Sequence, residues 1–152
     1  GGRAHLMAES LLNQLRPKSE WTILRLSGIY GPGRVPRAAD VIAGTPIASP
    51  QHGFLNLIHV DDAAEAVRSV IRKTTQRLYV VSDDQPVVRS KFYEEIALQT
   101  GSGKPQFVTP DAGSPVSMRS ESNKRVWNRR MKRDLVSKLH FPTYQHGLAD
   151  IL

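Results

Sequence analysis

Two short stretches of the sequence combine residue types that enzymes use for catalysis and binding. In the first, His59 precedes Asp61 and Asp62, a set that could transfer protons or bind a metal ion. Adjacent side chains diverge on a helix, however, and aspartate is strongly favoured where helices begin. We therefore interpret this stretch as structural, with one aspartate capping a helix and the other bonding a nearby turn. On that interpretation, asparagine should replace the capping aspartate at almost no cost in stability.

The second stretch, residues 27–33, contains three glycines and one proline and directly follows a predicted strand. This composition indicates a sharp turn. In open parallel sheets, ligands bind just beyond the carboxyl ends of the strands. We therefore predict that Ser27, Gly28 and Ile29 line a ligand site, with a tight turn of small residues as the alternative.

Strands and helices alternate along the chain, which favours an α/β fold built on a parallel sheet. Strands are predicted at residues 21–26, 57–60 and 77–81, the first of them buried on both faces. The spacing of apolar residues predicts helices at residues 3–15, 38–43, 61–73, 91–100, 128–139 and 143–152. Pro17 should end the first helix, Ser90 should begin the fourth and Gly101 should close it. Residues 45–56 look irregular, and three strands are too few for a complete doubly wound sheet.

The net charge of +7 is concentrated in one segment. There, Glu121 and Asp134 oppose eight basic residues: Arg119, Lys124, Arg125, Arg129, Arg130, Lys132, Arg133 and Lys138. A cationic segment can bind nucleic acid or a phosphorylated ligand. Apart from Trp127 it has no aromatic residue on which bases could stack, so nucleic acid is the weaker candidate of the two. A solvated helix face is the simplest interpretation.

The composition excludes several classes of protein. The chain has no cysteine, so it forms neither disulfide bonds nor thiolate metal sites, and this fits a cytoplasmic location. No apolar run approaches the roughly 18 residues that a membrane-spanning helix needs. A chain of 152 residues is long enough for one domain with a core of its own. The first residue is not methionine, and we expect the sequence to be part of a longer protein.

Three segments in order, residues 24–33, 56–64 and 78–87, carry a resemblance to a known family. Each segment is of modest specificity, but the three at this spacing are strong in combination. The chain resembles the C-terminal half of extended short-chain dehydrogenases/reductases of the NAD-dependent epimerase/dehydratase type, particularly a less typical bacterial branch. The resemblance covers essentially the whole chain. It implies the C-terminal part of a Rossmann-like parallel sheet with a small substrate-side lobe.

The resemblance also implies a cofactor, NAD or NADP, in the intact protein. Family members hold the cofactor pyrophosphate on a glycine-rich loop at a helix N-terminus, and the sequence has no Gly-x-Gly-x-x-Gly pattern. The family's catalytic Tyr-x-x-x-Lys would fall on Gly1 and His5, which do not match it. We therefore expect residues 1–152 to form a partial NAD(P)-binding domain whose N-terminal cofactor half is missing. Such a chain should hold no catalytic residue, bind dinucleotides weakly and be inactive alone.

The resemblance assigns ligand contacts to a few residues. Those beside the cofactor would be Ser27, Gly28 and Ile29. Those on the substrate side would be Tyr30, Arg34 and Asn56, although a packed ring and a solvated charge explain the tyrosine and the arginine equally well. The reaction would be oxidoreduction or epimerisation of a small hydroxylated substrate, such as a sugar nucleotide; the alternative is a non-catalytic relative that binds a nucleotide or nucleic acid. An open strand edge at residues 21–26 favours a homodimer or aggregation.

Overall fold

A computed structural model of the protein describes residues 2–16, 18, 21–72, 77–111, 113 and 123–152. The helices in these residues are α1 (Gly2–Leu15), α2 (Ala38–Ile42), α3 (Val60–Arg72), α4 (Arg89–Thr100), α5 (Arg129–Asp134) and α6 (Tyr144–Ile151). The strands are β1 (Ile23–Leu26), β2 (Gly28–Tyr30), β3 (Ile47–Ala48), β4 (Phe54–Leu55), β5 (Leu57–His59), β6 (Leu78–Val81), β7 (Val87–Val88) and β8 (Phe107–Val108). The α/β class predicted from the sequence is confirmed.

Most strand pairs in the described residues are parallel. β1 lies beside β6, β2 lies beside β5 with Gly28 opposite Leu57, and β3 lies beside β8. β4 and β7 form an antiparallel pair. Only Ser27 separates β1 from β2, and its N–H donates to the carbonyl of Val81 at 2.9 Å. One nearly continuous segment of chain therefore runs first beside β6 and then beside β5.

Among the parallel strands, β5 is buried on both faces, as expected of a strand that helices cover. Successive strand residues point to opposite faces. In β5, accordingly, Leu57 belongs to one hydrophobic cluster and Ile58 to another. The first cluster contains residues of α2, α4 and α6 together with Tyr30, and the second contains residues of α3 and α5, including Met131. β5 is thus held between two packed layers, and the buried residues of β6, Tyr79 and Val81, belong to the second of them.

The least covered part of the described chain is the pair formed by α1 and β1. We predicted β1 to be buried on both faces, but Arg25 and Leu26 are exposed. That prediction is wrong for this chain because, among the described residues, β1 pairs with β6 alone. The side chain of Arg25 forms a two-bond ion pair with Glu9 of α1. α1 itself buries no residue and exposes four large apolar side chains: Leu6, Met7, Leu11 and Leu15.

Several element boundaries differ from those predicted. β2 occupies part of a stretch predicted as a loop, and β3 and β4 occupy part of residues 45–56, because pairing with distant strands extends these short segments. α4 begins at Arg89, so Ser90 does not cap it, whereas Gly101 closes it with a φ of 66° as predicted. α5 ends at Asp134 rather than near residue 139. Pro17, predicted to end the first helix, lies outside the described residues.

Candidate substrate cleft

A cleft of about 650 Å³ opens beside the carboxyl end of β6. We call it the substrate cleft. It lies where the turn after β6 meets the segment before α5 and the β4–β7 pair. Its lining residues are Phe54, Asp83, Asp84, Pro86, Asn123, Arg125, Val126, Trp127 and Asn128. Ligands bind at the carboxyl ends of parallel strands in open α/β sheets, so this cleft is the candidate functional site.

The turn of residues 82–84, which forms one wall of the cleft, is fixed by hydrogen bonds from three directions. The side-chain amide of Asn128 donates to the carbonyls of Ser82 and Asp83 and to Oδ1 of Asp84, at 2.7–3.0 Å. The hydroxyl of Ser82 donates to the carbonyl of Leu57 at 3.2 Å. The N–H of Asp84 donates to the carbonyl of residue 142 at 2.9 Å. This wall is therefore preorganised before any ligand arrives.

Asn56 fixes the opposite wall rather than facing the cleft. Its side-chain Nδ2 donates to the carbonyl of Lys124 at 2.8 Å, and its Oδ1 accepts from the N–H of Val126 at 2.9 Å. Both ends of the amide are thus bonded to the backbone on either side of Arg125. We predicted Asn56 as a substrate-binding residue, but its polar atoms are engaged within the chain. Its role in the structure is to position the segment that carries Arg125.

Two stacks of an arginine on an aromatic ring flank the cleft. The guanidinium carbon of Arg125 lies 4.8 Å from the centre of the Phe54 ring, and that of Arg129 lies 4.6 Å from the Trp127 ring. Trp127 leaves 72% of its surface exposed. A guanidinium is suited to bidentate binding of phosphate or carboxylate, and an exposed ring is suited to stacking on a base or a sugar. The cleft therefore suits an anionic ligand that also has a flat or apolar part.

Much of the basic segment is occupied within the chain. Lys132 pairs with Asp84 at 2.7 Å, and Arg133 donates twice to Asp134. Arg130 donates to the carbonyl of Leu78 at 3.0 Å. Arg130 and Arg133 are nevertheless exposed, which is compatible with the solvated helix face that we predicted as the simplest interpretation. Arg119 lies outside the described residues.

The carboxyl group of Asp83 is unusual because it is buried within a turn. It is 2% exposed, and one of its carboxyl oxygens, Oδ2, has no hydrogen-bond partner in the described structure. The other oxygen, Oδ1, accepts from the N–H of Gln85 at 3.2 Å. Burial raises the pKa of Asp83 to about 8, and the nearby carboxylates of Asp84 and Asp62 add to this. Asp83 therefore favours the neutral, protonated form at neutral pH.

The substitution Asp83→Asn is expected to reduce the dependence of stability on pH. Folding takes up a proton on Asp83 between its ordinary pKa of 3.8 and about 8. The stabilisation is complete below the lower value and is lost as pH rises through the higher one. The asparagine of the variant does not titrate. As pH rises from 5 to about 8, the free energy of unfolding of the variant should therefore increase relative to that of the wild type, by up to about 1.4 kcal/mol per pH unit. Urea unfolding from pH 5 to 8 measures this.

An exposed carboxylate provides the control for this experiment. Asp150→Asn near the end of α6 should leave the curve of stability against pH almost parallel to that of the wild type. Parallel curves for Asp83→Asn and the wild type would show that Asp83 is already ionised at neutral pH in the folded protein.

The residues predicted to face a cofactor lie at the junction of β1 and β2. Gly28 is exposed, and its N–H donates to the carbonyl of Asn56 at 2.9 Å. A side chain at Gly28 would approach that carbonyl to 3.2 Å, so the two strands need a small residue here. Ser27 is half-buried, and Ile29 packs against the second hydrophobic cluster. These contacts describe a strand junction, and the cofactor contact of Ser27, Gly28 and Ile29 stays a prediction.

Tyr30 and Arg34, predicted on the substrate side, are in very different surroundings. Tyr30 has no exposed surface and packs edge-on against the rings of His59 and Phe92. The packed-ring alternative fits these contacts, and a substrate contact would require Tyr30 to leave them. Arg34 is exposed on a turn that Gly33 completes with a φ of 70°. Its exposure suits either a solvated charge or a ligand contact.

The His59 stretch is structural in its contacts, although not as a capping aspartate. α3 begins at Val60, and the N–H of Asp61 donates to the ring nitrogen Nδ1 of His59 at 3.3 Å. Asp62 is buried and accepts from the backbone N–H groups of His140 and residue 141 at 2.7 and 2.8 Å. We predicted that an aspartate caps the helix, which is wrong because the helix starts one residue earlier. The predicted bond from the other aspartate to a nearby turn is present.

Two further features are absent from the described residues. Within the described ranges, no three histidine, aspartate or glutamate side chains lie close enough together to bind a metal ion. The described helices include none that is long and apolar enough to cross a lipid bilayer.

The chain is similar to one curated protein and to several solved structures. No family model matches the sequence. YeeZ of Escherichia coli is 32% identical over 107 residues, which make up 70% of this chain and 38% of YeeZ. A protein of unknown function from Silicibacter pomeroyi has a similar structure, with a TM-score of 0.78 and 30% identity over 99% of this chain and 53% of its own. A Methylobacillus flagellatus protein, provisionally described as an NAD-dependent epimerase/dehydratase, has a TM-score of 0.72 and 29% identity over 99% of this chain and 51% of its own.

More distant structures show the same fold. UDP-glucose 4-epimerase of Thermotoga maritima, solved with UDP-glucose, has a TM-score of 0.79 at 17% identity and covers 97% of this chain and 50% of its own. This chain spans about half the length of the solved structures that it matches. Together with the parallel strands and their covering helices, these likenesses confirm the Rossmann-like fold that the sequence predicted. The chain is similar to the extended short-chain dehydrogenases/reductases of the NAD-dependent epimerase/dehydratase type, and its coverage of about half of their length is consistent with their C-terminal half.

Proposed function

We propose that this chain is the substrate-side half of an NAD- or NADP-dependent oxidoreductase or epimerase that acts on a small hydroxylated substrate. The observation that carries the proposal is the substrate cleft, where a stacked guanidinium and an exposed indole meet at the carboxyl end of a parallel strand. That position is the one at which this class of sheet binds its ligands.

The chemistry of the cleft favours a sugar nucleotide. Arg125 supplies a fixed positive charge for a diphosphate, since Asn56 holds the backbone on both sides of it. Trp127 supplies a ring for stacking on a base or packing against a sugar. The structure of the Thermotoga maritima epimerase with UDP-glucose supports the same ligand class.

The cofactor is the second part of the proposal. Two other structures with this fold, at 17% and 15% identity, were solved with NAD and NADPH. In this chain Ser27, Gly28 and Ile29 would form one wall of the cofactor site. The pyrophosphate loop and the catalytic pair would come from a second half of the protein, which is consistent with relatives about twice as long. When bound, the cofactor would exchange a hydride with a carbinol carbon of the substrate.

The exposed face formed by α1 and β1 is suited to be the docking surface for that second half. It combines the open edge of β1 with the exposed apolar side chains of α1 and Leu26. A large apolar patch beside an unpaired strand edge is typical of an interface. Pairing of two copies through this face, as a homodimer, is the alternative.

The substitution Arg125→Ala tests the ligand class. A hydrogen bond to a charged group contributes about 1.5–3 kcal/mol, so we expect the affinity of the 152-residue chain for UDP-glucose to fall about tenfold or more. Isothermal titration calorimetry at low salt measures the affinity. Arg68→Ala removes an exposed arginine that pairs with Glu65 on α3, away from the cleft lining, and should leave the affinity unchanged. Equal affinities of wild type and Arg125→Ala would contradict the proposal.

A non-catalytic binding module for nucleic acid is the second candidate. The observation that favours it is the exposed ring of Trp127 beneath Arg129, since bases of single strands stack on such surfaces. The internal pairing of Lys132 and Arg133 weighs against it, because it leaves fewer charges for a phosphate backbone. A short single-stranded oligonucleotide that binds more tightly than UDP-glucose, with a steep dependence on salt, would favour this candidate.

A further inference from the structure

Two adjacent aspartates in the wall of the substrate cleft differ in how their oxygens are satisfied. Asp84 accepts from Asn128 through one oxygen and pairs with Lys132 through the other, both at 2.7 Å. Asp83 accepts a single backbone hydrogen bond through Oδ1, and its buried Oδ2 has no partner among the described residues. Both residues belong to the lining of the cleft. Of the two aspartates, Asp83 is thus the one whose carboxyl group lacks a hydrogen-bond partner for one oxygen.

A buried polar atom without a partner costs about 1–3 kcal/mol, so an unpaired carboxyl oxygen calls for an explanation. The turn that carries it is held rigidly by Asn128 and Ser82, which excludes a simple rotation of the backbone into solvent. A carboxyl group that keeps its proton has a hydrogen to donate. A ligand oxygen in the cleft would be the acceptor that completes it.

We propose that Asp83 is a ligand-binding residue of the substrate cleft, which in its protonated form donates a hydrogen bond to a phosphoryl oxygen beside the guanidinium of Arg125. This inference rests on the proposed function, because it assigns a role to a further residue of the same cleft. It also explains why an acid can stand in a site for an anion. A neutral carboxyl attracts phosphate, whereas an ionised one repels it.

The groups around Asp83 favour its protonated form from several elements. The carboxylate of Asp84 follows it in the turn, and that of Asp62 lies on α3. The phenol groups of Tyr30 from β2 and Tyr144 from α6 also interact with it electrostatically. Two cations line or approach the same cleft, Arg125 stacked on Phe54 and Lys132 bonded to Asp84. Burial and the neighbouring acids outweigh these cations, and the pKa of Asp83 lies near 8.

The experiment measures the affinity of the 152-residue chain for UDP-glucose between pH 6 and 9, a range in which the two phosphate charges of the ligand do not change. The wild-type affinity should be constant at low pH and fall by up to about tenfold per pH unit above about pH 8, because one proton must be taken up on binding. Asp83→Asn keeps a donor and does not titrate, so its affinity should stay close to the wild-type value at pH 6 and be independent of pH. Asp83→Ala should bind about tenfold more weakly at pH 6.

Calorimetry at pH 8.5 in two buffers of different ionisation enthalpy gives an independent measure. Wild type should take up about one proton per ligand bound, and Asp83→Asn none. Thermal unfolding of each variant confirms that it is folded. A wild-type affinity that is constant from pH 6 to 9, or an Asp83→Ala variant that binds as tightly as wild type at pH 6, would overturn the role of Asp83 alone. Absence of any binding by the wild type, or no effect of Arg125→Ala, would overturn the proposed function, and the role of Asp83 with it.

Discussion

Replacing Gly147 with alanine is expected to destabilise the protein by about 2–3 kcal/mol, the cost of forcing an extra carbon into a packed interior. Gly147 lies in the middle of α6, where alanine would ordinarily be favoured over glycine by about 1 kcal/mol. Here a β-carbon would lie 2.8 Å from two ring carbons of Tyr30 and still closer to its hydroxyl. Tyr30 cannot move aside, because His59 and Phe92 pack against the other sides of its ring. Chemical denaturation of the two proteins measures the difference.

Two further variants separate this contact from a general effect of glycine. Gly103→Ala adds a carbon where nothing lies within 4 Å, so it should change stability by no more than about 0.5 kcal/mol. Tyr30→Phe removes the closest atom, and Gly147→Ala should therefore cost less in that background, as a double-mutant cycle would show. If Gly147→Ala were as stable as the wild type in both backgrounds, the packing of α6 on Tyr30 would be wrong.

The helices and the central strands were predictable because their signals are local. The apolar spacing of residues 3–15 and 91–100 predicts α1 and α4 to within two residues, and Gly101 closes α4 as its type implies. β2 was not predicted, because its three residues begin with one glycine, are followed by another and carry no strand signal of their own. They are a strand because Gly28 to Tyr30 pair with β5 about thirty residues further along the chain. Distant pairing, not propensity, decides such short segments.

The cleft was less predictable than the fold for the same reason. Nothing in the sequence near Asn56 indicates that its amide bonds the backbone beside Arg125, 68–70 residues away. Arg125 was visible only as one charge of a basic segment, and Phe54 not at all. The strand end at Ser27 and Gly28 could be proposed as a ligand wall from topology alone. Residues 123–128 reach the turn after β6 through long-range hydrogen bonds, and no local pattern in the sequence indicates those bonds.

Asp62→Asn should destabilise the protein by about 1–3 kcal/mol, although a capping aspartate would tolerate the same change. The two carboxyl oxygens of Asp62 accept separate backbone hydrogen bonds, from His140 at 2.7 Å and from Phe141 at 2.8 Å. Asparagine has one acceptor oxygen, so its NH₂ group would face a backbone N–H and leave that donor unsatisfied. Asp62 is 2% exposed, and water cannot replace the lost acceptor. Urea unfolding at pH 7 measures the loss.

The neighbouring aspartate makes the comparison decisive, because it has the same chemistry without the burial. Asp61 is exposed in the same turn of α3, and Asp61→Asn should change the free energy of unfolding by no more than about 0.5 kcal/mol. Asp62→Ala leaves both backbone donors unsatisfied and should cost roughly twice as much as Asp62→Asn. The loss should also loosen Phe141, whose ring lies 3.9 Å from that of His59, so amide hydrogen exchange at residues 140 and 141 should quicken in the Asp62 variants alone. Equal stabilities of Asp61→Asn and Asp62→Asn would show that Asp62 acts as an ordinary first-turn acid and does not hold the segment before α6.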